Sequence, residues 1–384
     1  MKIALIRKKY IYHGGSEGFS QTLIRKLAQE GHEVHIFAIM WDASEQFNNI
    51  HFHKVPTITF NSFFRDLTFA LSAFLVMKRE HFDIIQSHDK TLFQDIYRAG
   101  DGCHIEWLRQ RWKRIGLFGR VSVILNPYHW LILTMERMIL KGHRFKKIIA
   151  ISELVKRNLI ENYNVDEGDI EVIYNGVDLE RFHPENRKKY IDEIRRRHSI
   201  GGNDFVILFA GSGFERKGVD YLLKASELVS EAITVLIVGK GSEEKMRRYI
   251  KKQRVIFCGP QKEIHKYYAA SDIFVFPTIY EPFGNVHLEA LASGLPVITT
   301  KLSGASEIIR DGVHGFVVDK PEDIDKIAEK ILILMDAEKN QRMSSEARRL
   351  AEHFSLKTFT ENMKKLYKSI GLESAEVTNE KATG

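Results

Sequence analysis

Cysteine is scarce in this chain. Its 384 residues include two, Cys103 and Cys258, far apart and flanked by no metal-ligand spacing. A disulfide framework and a cysteine-ligated metal centre are therefore excluded, and both side chains read as buried thiols in a reducing compartment. Long apolar runs are missing as well, since none approaches the roughly 18 residues that a membrane-spanning helix needs. The first apolar run, residues 3–6, stops at Arg7, Lys8 and Lys9, too short for the core of a signal peptide. Internal repeats and low-complexity segments are absent. What remains is ordinary globular material, 44% hydrophobic and 28% charged. At this length two domains are expected, because single cores rarely grow beyond about 250–300 residues.

The net charge of +7 is uneven. Up to Val172 there are 24 Lys and Arg against 19 Asp and Glu, net +5; the remainder has 33 against 31, net +2. Residues 107–147 hold ten basic side chains and one acid, Glu136, net +9. An excess that local implies an anionic partner for one region only.

Short apolar runs alternate with amphipathic stretches. Strand-like runs fall at 3–6, 34–37, 84–85 and 148–151, then at 205–209, 235–238, 255–257, 273–276 and 296–299. Helical patterns fall at 19–29, 221–229, 324–334 and 359–370. Runs apolar on both faces and separated by helices indicate parallel sheets with helical crossovers. The pattern begins afresh near Phe205 after a charge-rich stretch, so the expected fold is α/β with two doubly wound domains. The boundaries are 1–174 and 175–354, with a small polar tail at 372–384 expected to fray.

Two glycine-rich turns follow strands. The first contains Gly14 and Gly15; the second reads Gly211-Ser212-Gly213-Phe214-Glu215-Arg216-Lys217-Gly218. Glycine lets backbone amides approach an anion, and a helix start adds partial positive charge, although a plain tight turn is the competing account of the first loop. The second is neither a phosphate-binding Walker loop nor Gly-x-Gly-x-x-Gly, since Val219 follows Gly218 and Arg216 stands where the third glycine belongs. Adjacent cations at a helix start oppose the helix dipole, so one diphosphate is the better account of Arg216 and Lys217, with a solvated face as the competing one.

After the run at 273–276 comes Glu281-Pro282-Phe283-Gly284-Asn285-Val286-His287-Leu288-Glu289. Glu281 lies beyond a strand's carboxyl end, where open α/β sheets bind ligands. Glu289 lies about one turn into the next helix, seven residues intervening. Carboxylates suit vicinal sugar hydroxyls, and the amides of Phe283, Gly284 and Asn285 suit hydroxyls or phosphate oxygens. The spacing of the two glutamates alone favours two solvated surface acids; it is their place between the strand and Gly294-Leu295-Pro296-Val297 that makes the signal strong.

These segments resemble the retaining glycosyltransferases of family 4, as do Tyr174-Asn175-Gly176-Val177-Asp178 and Arg181-Phe182 at the domain joint. Gly211 to Asp220 and Ala99-Gly100-Asp101-Gly102-Cys103-His104-Ile105-Glu106 resemble, more narrowly, the lipopolysaccharide core glucosyltransferase I group. The resemblance implies a GT-B fold, two Rossmann-like domains facing across a cleft, with a last helix at about 355–371 crossing back to the first. It also implies retaining, metal-independent transfer of a hexose, glucose foremost, from a UDP-sugar to a lipid-linked or cell-envelope saccharide acceptor. Carried over by position, Glu281 with the Phe283 and Gly284 amides grips the hexose, and Glu289 holds the ribose. Arg216 and Lys217 neutralise the leaving diphosphate, Gly14 and Gly15 lie against phosphate and sugar, and Cys258 lies beside the uracil. Asp101 takes the cleft position at which many members have histidine. No cofactor is implied, and Asp323 and Asp325, in the one Asp-x-Asp match, read as helix-start acids, not metal ligands.

The segment around Trp107, Arg109, Arg111, Trp112, Lys113 and Arg114 interleaves aromatic and basic side chains. Docking on an anionic membrane surface, nucleic-acid binding and a solvated helix compete for it. A lipid-linked acceptor favours the first, and with it a peripheral place on the inner face of the cytoplasmic membrane. A non-catalytic basic module and a nucleotide-sugar epimerase are the competing functions.

Overall fold

The structure, a computed structural model, describes residues 1–10, 18–41, 48–229 and 233–383, with side chains except at 18, 19 and 372–383. It divides into one unit of Met1–Tyr174 with Lys357–Gly384 and a second of Asn175–Leu356.

The first unit holds a seven-stranded sheet. Its strands are β1 (Lys2–Ile6), β2 (Glu33–Ala38), β3 (Ile50–Lys54), β4 (Ile84–Ser87), β5 (Ile96–Ala99), β6 (Lys147–Ala150) and β7 (Ile170–Val172). The spatial order is β3-β2-β1-β4-β5-β6-β7, with every neighbour pair parallel. Helices α1 (Gly18–Gln29), α2 (Ser62–Met77), α3 (His104–Trp112), α4 (Leu117–Leu125) and α5 (Pro127–Leu140) belong to this unit. In α2, Phe69, Ala70, Ala73 and Met77 face the core at helical spacing, while Phe64, Leu71 and Leu75 face outward.

The second unit holds a six-stranded sheet. Its strands are β8 (Phe205–Ala210), β9 (Ile233–Val238), β10 (Arg254–Gly259), β11 (Ile273–Phe276), β12 (Val297–Thr300) and β13 (Gly315–Val318), in the order β10-β9-β8-β11-β12-β13 and again parallel. β9, β11 and β12 are buried along their whole length, as a sheet covered on both faces requires. Its helices include α6 (Phe214–Lys217), α7 (Val219–Glu227), α8 (Asn285–Ala292) and α9 (Ile324–Leu334). Asp323 and Asp325 sit at the start of α9, where the dipole favours acids.

Several expectations need correction. β3, β5, β7 and β13 carry no long apolar run; their sequences, IHFHK, IYRA, IEV and GFVV, are short or interrupted by polar residues. Cys103 is buried, but Cys258 is half-exposed because β10 is the edge strand of its sheet. The final helix, α10 (Leu356–Thr383), is longer than the expected 355–371 and runs on past Gly371. Its later residues include Glu373, Ala375, Glu376, Glu380, Lys381 and Ala382, all good helix formers. Within the first unit α10 buries Phe359, Met363, Tyr367 and Ile370, and the Tyr367 hydroxyl donates to Gln86 Oε1 at 2.8 Å.

Candidate active site

β8 and β11 are the central strands of the second sheet, at the point where the strand order reverses, and ligands bind outside the carboxyl ends at such a point. β8 leads into Gly211 and α6; β11 leads into Pro277 and Glu281. Gly218, at φ +78°, closes the two loops together: a Cβ there would lie 1.9 Å from the Pro277 carbonyl oxygen. A Cβ at Gly211 would lie 2.9 Å from Lys217 Cδ, so glycine lets the lysine fold back over the strand end.

Arg216 and Lys217 do not open the long helix. They form the last turn of the one-turn α6, which the left-handed Gly218 stops before α7 begins. Their heads turn to the loop after β11. Arg216 Nη1 donates to the Tyr280 carbonyl at 3.0 Å and to Glu281 Oε2 at 3.1 Å. Lys217 Nζ lies 3.2 Å from the same oxygen and 5.1 Å from the centre of the Phe276 ring. The Arg216 carbonyl accepts from the Ile279 amide at 3.1 Å and from Thr278 Oγ1 at 3.2 Å. Glu281 is fixed in turn: its amide donates to the Leu302 carbonyl at 3.0 Å and its carbonyl accepts from Gly304 at 2.8 Å. Burial would raise the Glu281 pKa, but Lys217 and Arg216 outweigh it and hold the carboxyl below its ordinary value. The result is a buried carboxylate under two cations, with formal charges of +1, +1 and −1.

Gly284, at φ +84°, precedes α8 with no side-chain cap. His287, fully buried, donates from Nδ1 to the Gly284 carbonyl at 2.8 Å, and its Nε2 lies 2.9 Å from Thr299 Oγ1. Burial pushes this imidazole down to about 4, so it is neutral and pins the turn. The Phe283 carbonyl accepts from Ala305 N and Ser303 Oγ, each at 3.1 Å, and Asn285 Oδ1 accepts from Asn175 Nδ2 at 2.5 Å. Glu289, on the first turns of α8, is buried and accepts from the Tyr268 hydroxyl at 2.9 Å. Burial raises its pKa against the opposing pull of Tyr268 and Arg181. The Cys258 carbonyl accepts from Gln261 Nε2 at 2.5 Å, and burial pushes the thiol up to about 12. Sequence reasoning missed His287 and Tyr268. The first stands inside the quoted motif, whereas Tyr268 is 21 residues from Glu289 and carries no local signal.

Asp101 belongs to the first unit, exposed in the turn after β5. Its negative field acts on Lys90 and His104. The His104 amide donates to Glu136 Oε1 at 2.8 Å, and its Nε2 lies 3.0 Å from His129 Nδ1. Burial, Lys90 and His129 push the His104 ring down to about 3, which holds it neutral. Glu136, the lone acid among ten cations, is 2% exposed; Lys90 lies 3.5 Å away and the Tyr163 hydroxyl donates to it at 2.5 Å. Its charge is spent inside the fold, which leaves the surface of 107–147 more basic than its composition. Gly14 and Gly15 lie outside the described residues.

In the basic segment Arg109 is paired to Glu106 and donates to Asn162 at 2.8 Å, and Arg114 donates to the Gln110 carbonyl at 2.9 Å. Trp107 and Arg111 are half-buried, whereas Trp112 and Lys113 are exposed. A run of exposed apolar side chains lies just beyond, on α4 and α5. Phe118 is 93% exposed, Leu125 74% and Trp130 60%, with Leu117, Val121 and Ile124 completing the stripe on α4.

Two Rossmann-like units with parallel sheets make up the GT-B architecture of glycosyltransferases. Family comparison agrees with the fold: Glycosyltransferase Family 4 matches residues 13–181 and Glycosyl transferases group 1 matches 190–350. The chain belongs to this family and is a transferase enzyme. It is 28% identical to the capsular polysaccharide biosynthesis glycosyltransferase CapM of Staphylococcus aureus, over 91% of this chain and 93% of that one. It is 24% identical to the lipopolysaccharide glucosyltransferase WaaG of Escherichia coli K12, over 86% and 90%. The solved structure of WaaG superposes with a TM-score of 0.78 at 21% identity, covering 95% of this chain and 99% of that one. Anabaena HepE, solved with UDP and glucose, superposes at 0.73 and 19%, covering 96% and 100%. At these identities the two superpositions establish the fold.

Proposed function

We propose that the chain transfers a hexose, glucose foremost, from a UDP-sugar to a saccharide acceptor of the cell envelope or a lipid-linked saccharide, with retention of anomeric configuration. The observation that carries this reading is the convergence of Arg216 and Lys217 on Glu281 at the reversal point of the sheet. The bond from the sugar's anomeric carbon to the β-phosphate oxygen breaks, and a bond from that carbon to the acceptor hydroxyl oxygen forms on the same face. The hydroxyl proton passes to the departing phosphate. Negative charge grows on the diphosphate as the bond opens, and two preorganised cations answer it without rearranging. They take the part that a metal ion plays elsewhere, so no metal is required. Glu281, held ionised, accepts hydrogen bonds from hexose hydroxyls; Glu289 accepts them from the ribose. WaaG is named as a glucosyltransferase and HepE was solved with UDP and glucose, which supports glucose as the sugar.

Release of UDP from UDP-glucose, UDP-galactose and UDP-N-acetylglucosamine, followed with and without EDTA, tests the reading. EDTA-resistant turnover highest on UDP-glucose is expected; strict dependence on added metal, or Glu281→Ala and Lys217→Ala enzymes as active as the parent, would refute it.

The apolar stripe of α4 next to the basic segment supports docking on an anionic membrane, with aromatics at headgroup depth and cations over the lipid charge. No helix among the described residues is long and apolar enough to cross a membrane. Sedimentation with vesicles containing phosphatidylglycerol should fall when Arg111, Lys113 and Arg114 become Ala, and again when Leu117, Phe118 and Leu125 become Ser. Binding untouched by both sets would reject the docking surface.

A further inference from the structure

The amino-terminal edge of the first sheet carries a cluster that the transfer reaction does not use. β2 and β3 pair in parallel with His35 opposite His51 and Phe37 opposite His53. Side chains alternate along a strand, so Glu33, His35 and Phe37 share one face of β2, and His51 and His53 share the same face of β3. Glu33 opens its strand and His51 is second in its own, which puts them at the end of the sheet opposite the carboxyl edge bearing Asp101.

The groups touch one another. His35 Nε2 lies 2.9 Å from Glu33 Oε1, and His51 Nε2 lies 3.6 Å from that same oxygen. One ligand atom from each of Glu33, His35 and His51 fits within a span of 4.8 Å. In a tetrahedral site with bonds of about 2.0–2.1 Å, neighbouring ligand atoms stand about 3.3 Å apart; the two separations to Glu33 bracket that edge, and the histidine nitrogens lie within 4.8 Å of each other. His35 is buried, and its other ring nitrogen, Nδ1, lies 2.8 Å from His53 Nε2. That contact orients the His35 ring, as a neighbouring hydrogen-bond partner does for metal-binding histidines. His53 is itself stacked on Phe37 at 4.5 Å between ring centres.

We propose that Glu33, His35 and His51 form a surface site for a transition-metal dication of the zinc class, with His53 as the positioning residue behind His35. Two imidazoles and one carboxylate select Zn²⁺, Ni²⁺ or Cu²⁺ over Mg²⁺ and Ca²⁺, which prefer all-oxygen shells. The half-exposed His51 and exposed Glu33 leave the fourth position open to water. A bound ion clips the edge strand β3 to β2, so its effect is on the stability of this unit and on the sheet edge, not on sugar transfer.

The test uses the full chain without a histidine tag, stripped with EDTA, titrated with Zn²⁺ by calorimetry and with Co²⁺ by visible absorption. One saturable equivalent is expected, with the ligand-field absorption of a low-coordinate ion, no competition by excess Mg²⁺, and a Tm that rises with Zn²⁺. Glu33→Gln alters an exposed side chain and His51→Ala a half-exposed one, so the fold survives, and each should weaken binding about ten-fold or more. His53→Gln should weaken it by about 10- to 100-fold through His35. His143→Ala, at an exposed histidine outside the cluster, should leave it unchanged. Absence of a saturable equivalent, binding that is indifferent to Glu33→Gln and His51→Ala, or binding lost in His143→Ala would overturn the site.

Discussion

Glu281 and Lys217 touch one another, yet replacing each should move the affinity for UDP in opposite directions. With both cations and the carboxylate in place the trio carries a formal charge of +1. Lys217→Ala brings it to zero and removes one charged hydrogen bond to the diphosphate, worth about 1.5–3 kcal/mol. UDP should then bind about 10- to 100-fold more weakly, and turnover should fall by about 10²- to 10³-fold, as for other preorganised donors to a developing anion. Glu281→Gln brings the trio to +2. A unit charge about 8 Å away, at an effective dielectric of about 20, contributes about 2 kcal/mol, so UDP should bind up to about ten-fold more tightly after screening by salt. Turnover should still fall, by about 10- to 100-fold, because the hexose loses its ionised acceptor. Calorimetry with UDP and a coupled assay of UDP release measure both quantities. Weaker UDP binding in Glu281→Gln, or turnover within two-fold of the parent in either variant, would refute the assignment of these charges.

Three further outcomes follow from the packing around this trio. Gly218→Ala forces a left-handed alanine, costing about 1–2 kcal/mol from the backbone alone, and drives its Cβ into the Pro277 carbonyl; a large drop in Tm together with loss of UDP binding is expected, and a Tm within about 2 °C of the parent would contradict the close approach. Tyr268→Phe strips Glu289 of its buried donor at a cost of about 1–3 kcal/mol. It should weaken UDP more than inorganic pyrophosphate, which has no ribose; equal losses would sever Glu289 from the ribose. His287 is held neutral, its pKa lowered to about 4, so its contribution is complete above about pH 6.5 and is lost as pH falls from there towards 4. Urea denaturation of the parent should show that decline, up to about 3 kcal/mol, and His287→Gln should flatten it; an unchanged slope would place the acid sensitivity elsewhere.

Three of the four strands that the sequence did not reveal, β3, β7 and β13, lie at sheet edges; the fourth, β5, is interior but only four residues long with an arginine inside it. A central strand such as β9, ITVLIV, is apolar throughout because helices cover both its faces. β3, IHFHK, lies at an edge with only one neighbour, so polar side chains are tolerated and the apolar run that marks a strand is lost. Glu136 shows the same limit for electrostatics. Composition counts it against ten cations on a surface, yet it is buried among Lys90, Tyr163 and the His104 amide, which come from separate parts of the chain.

By itself the sequence determined the α/β class, the near-neutral half bearing Arg216, Lys217, Glu281 and Glu289, and the basic stretch in the other half. These are local properties: periodicity, glycine at forced turns, and charges within a few residues of a strand end. Only the tertiary structure decided that β8 lies beside β11, which brings residues 216 and 217 onto 281 across more than sixty positions of chain. It also decided that Arg216 and Lys217 point at a carboxylate, that Tyr268 serves Glu289, and that His35 and His51 gather on Glu33. Strand order is fixed by how whole crossover units pack their apolar faces, and no short segment carries that information.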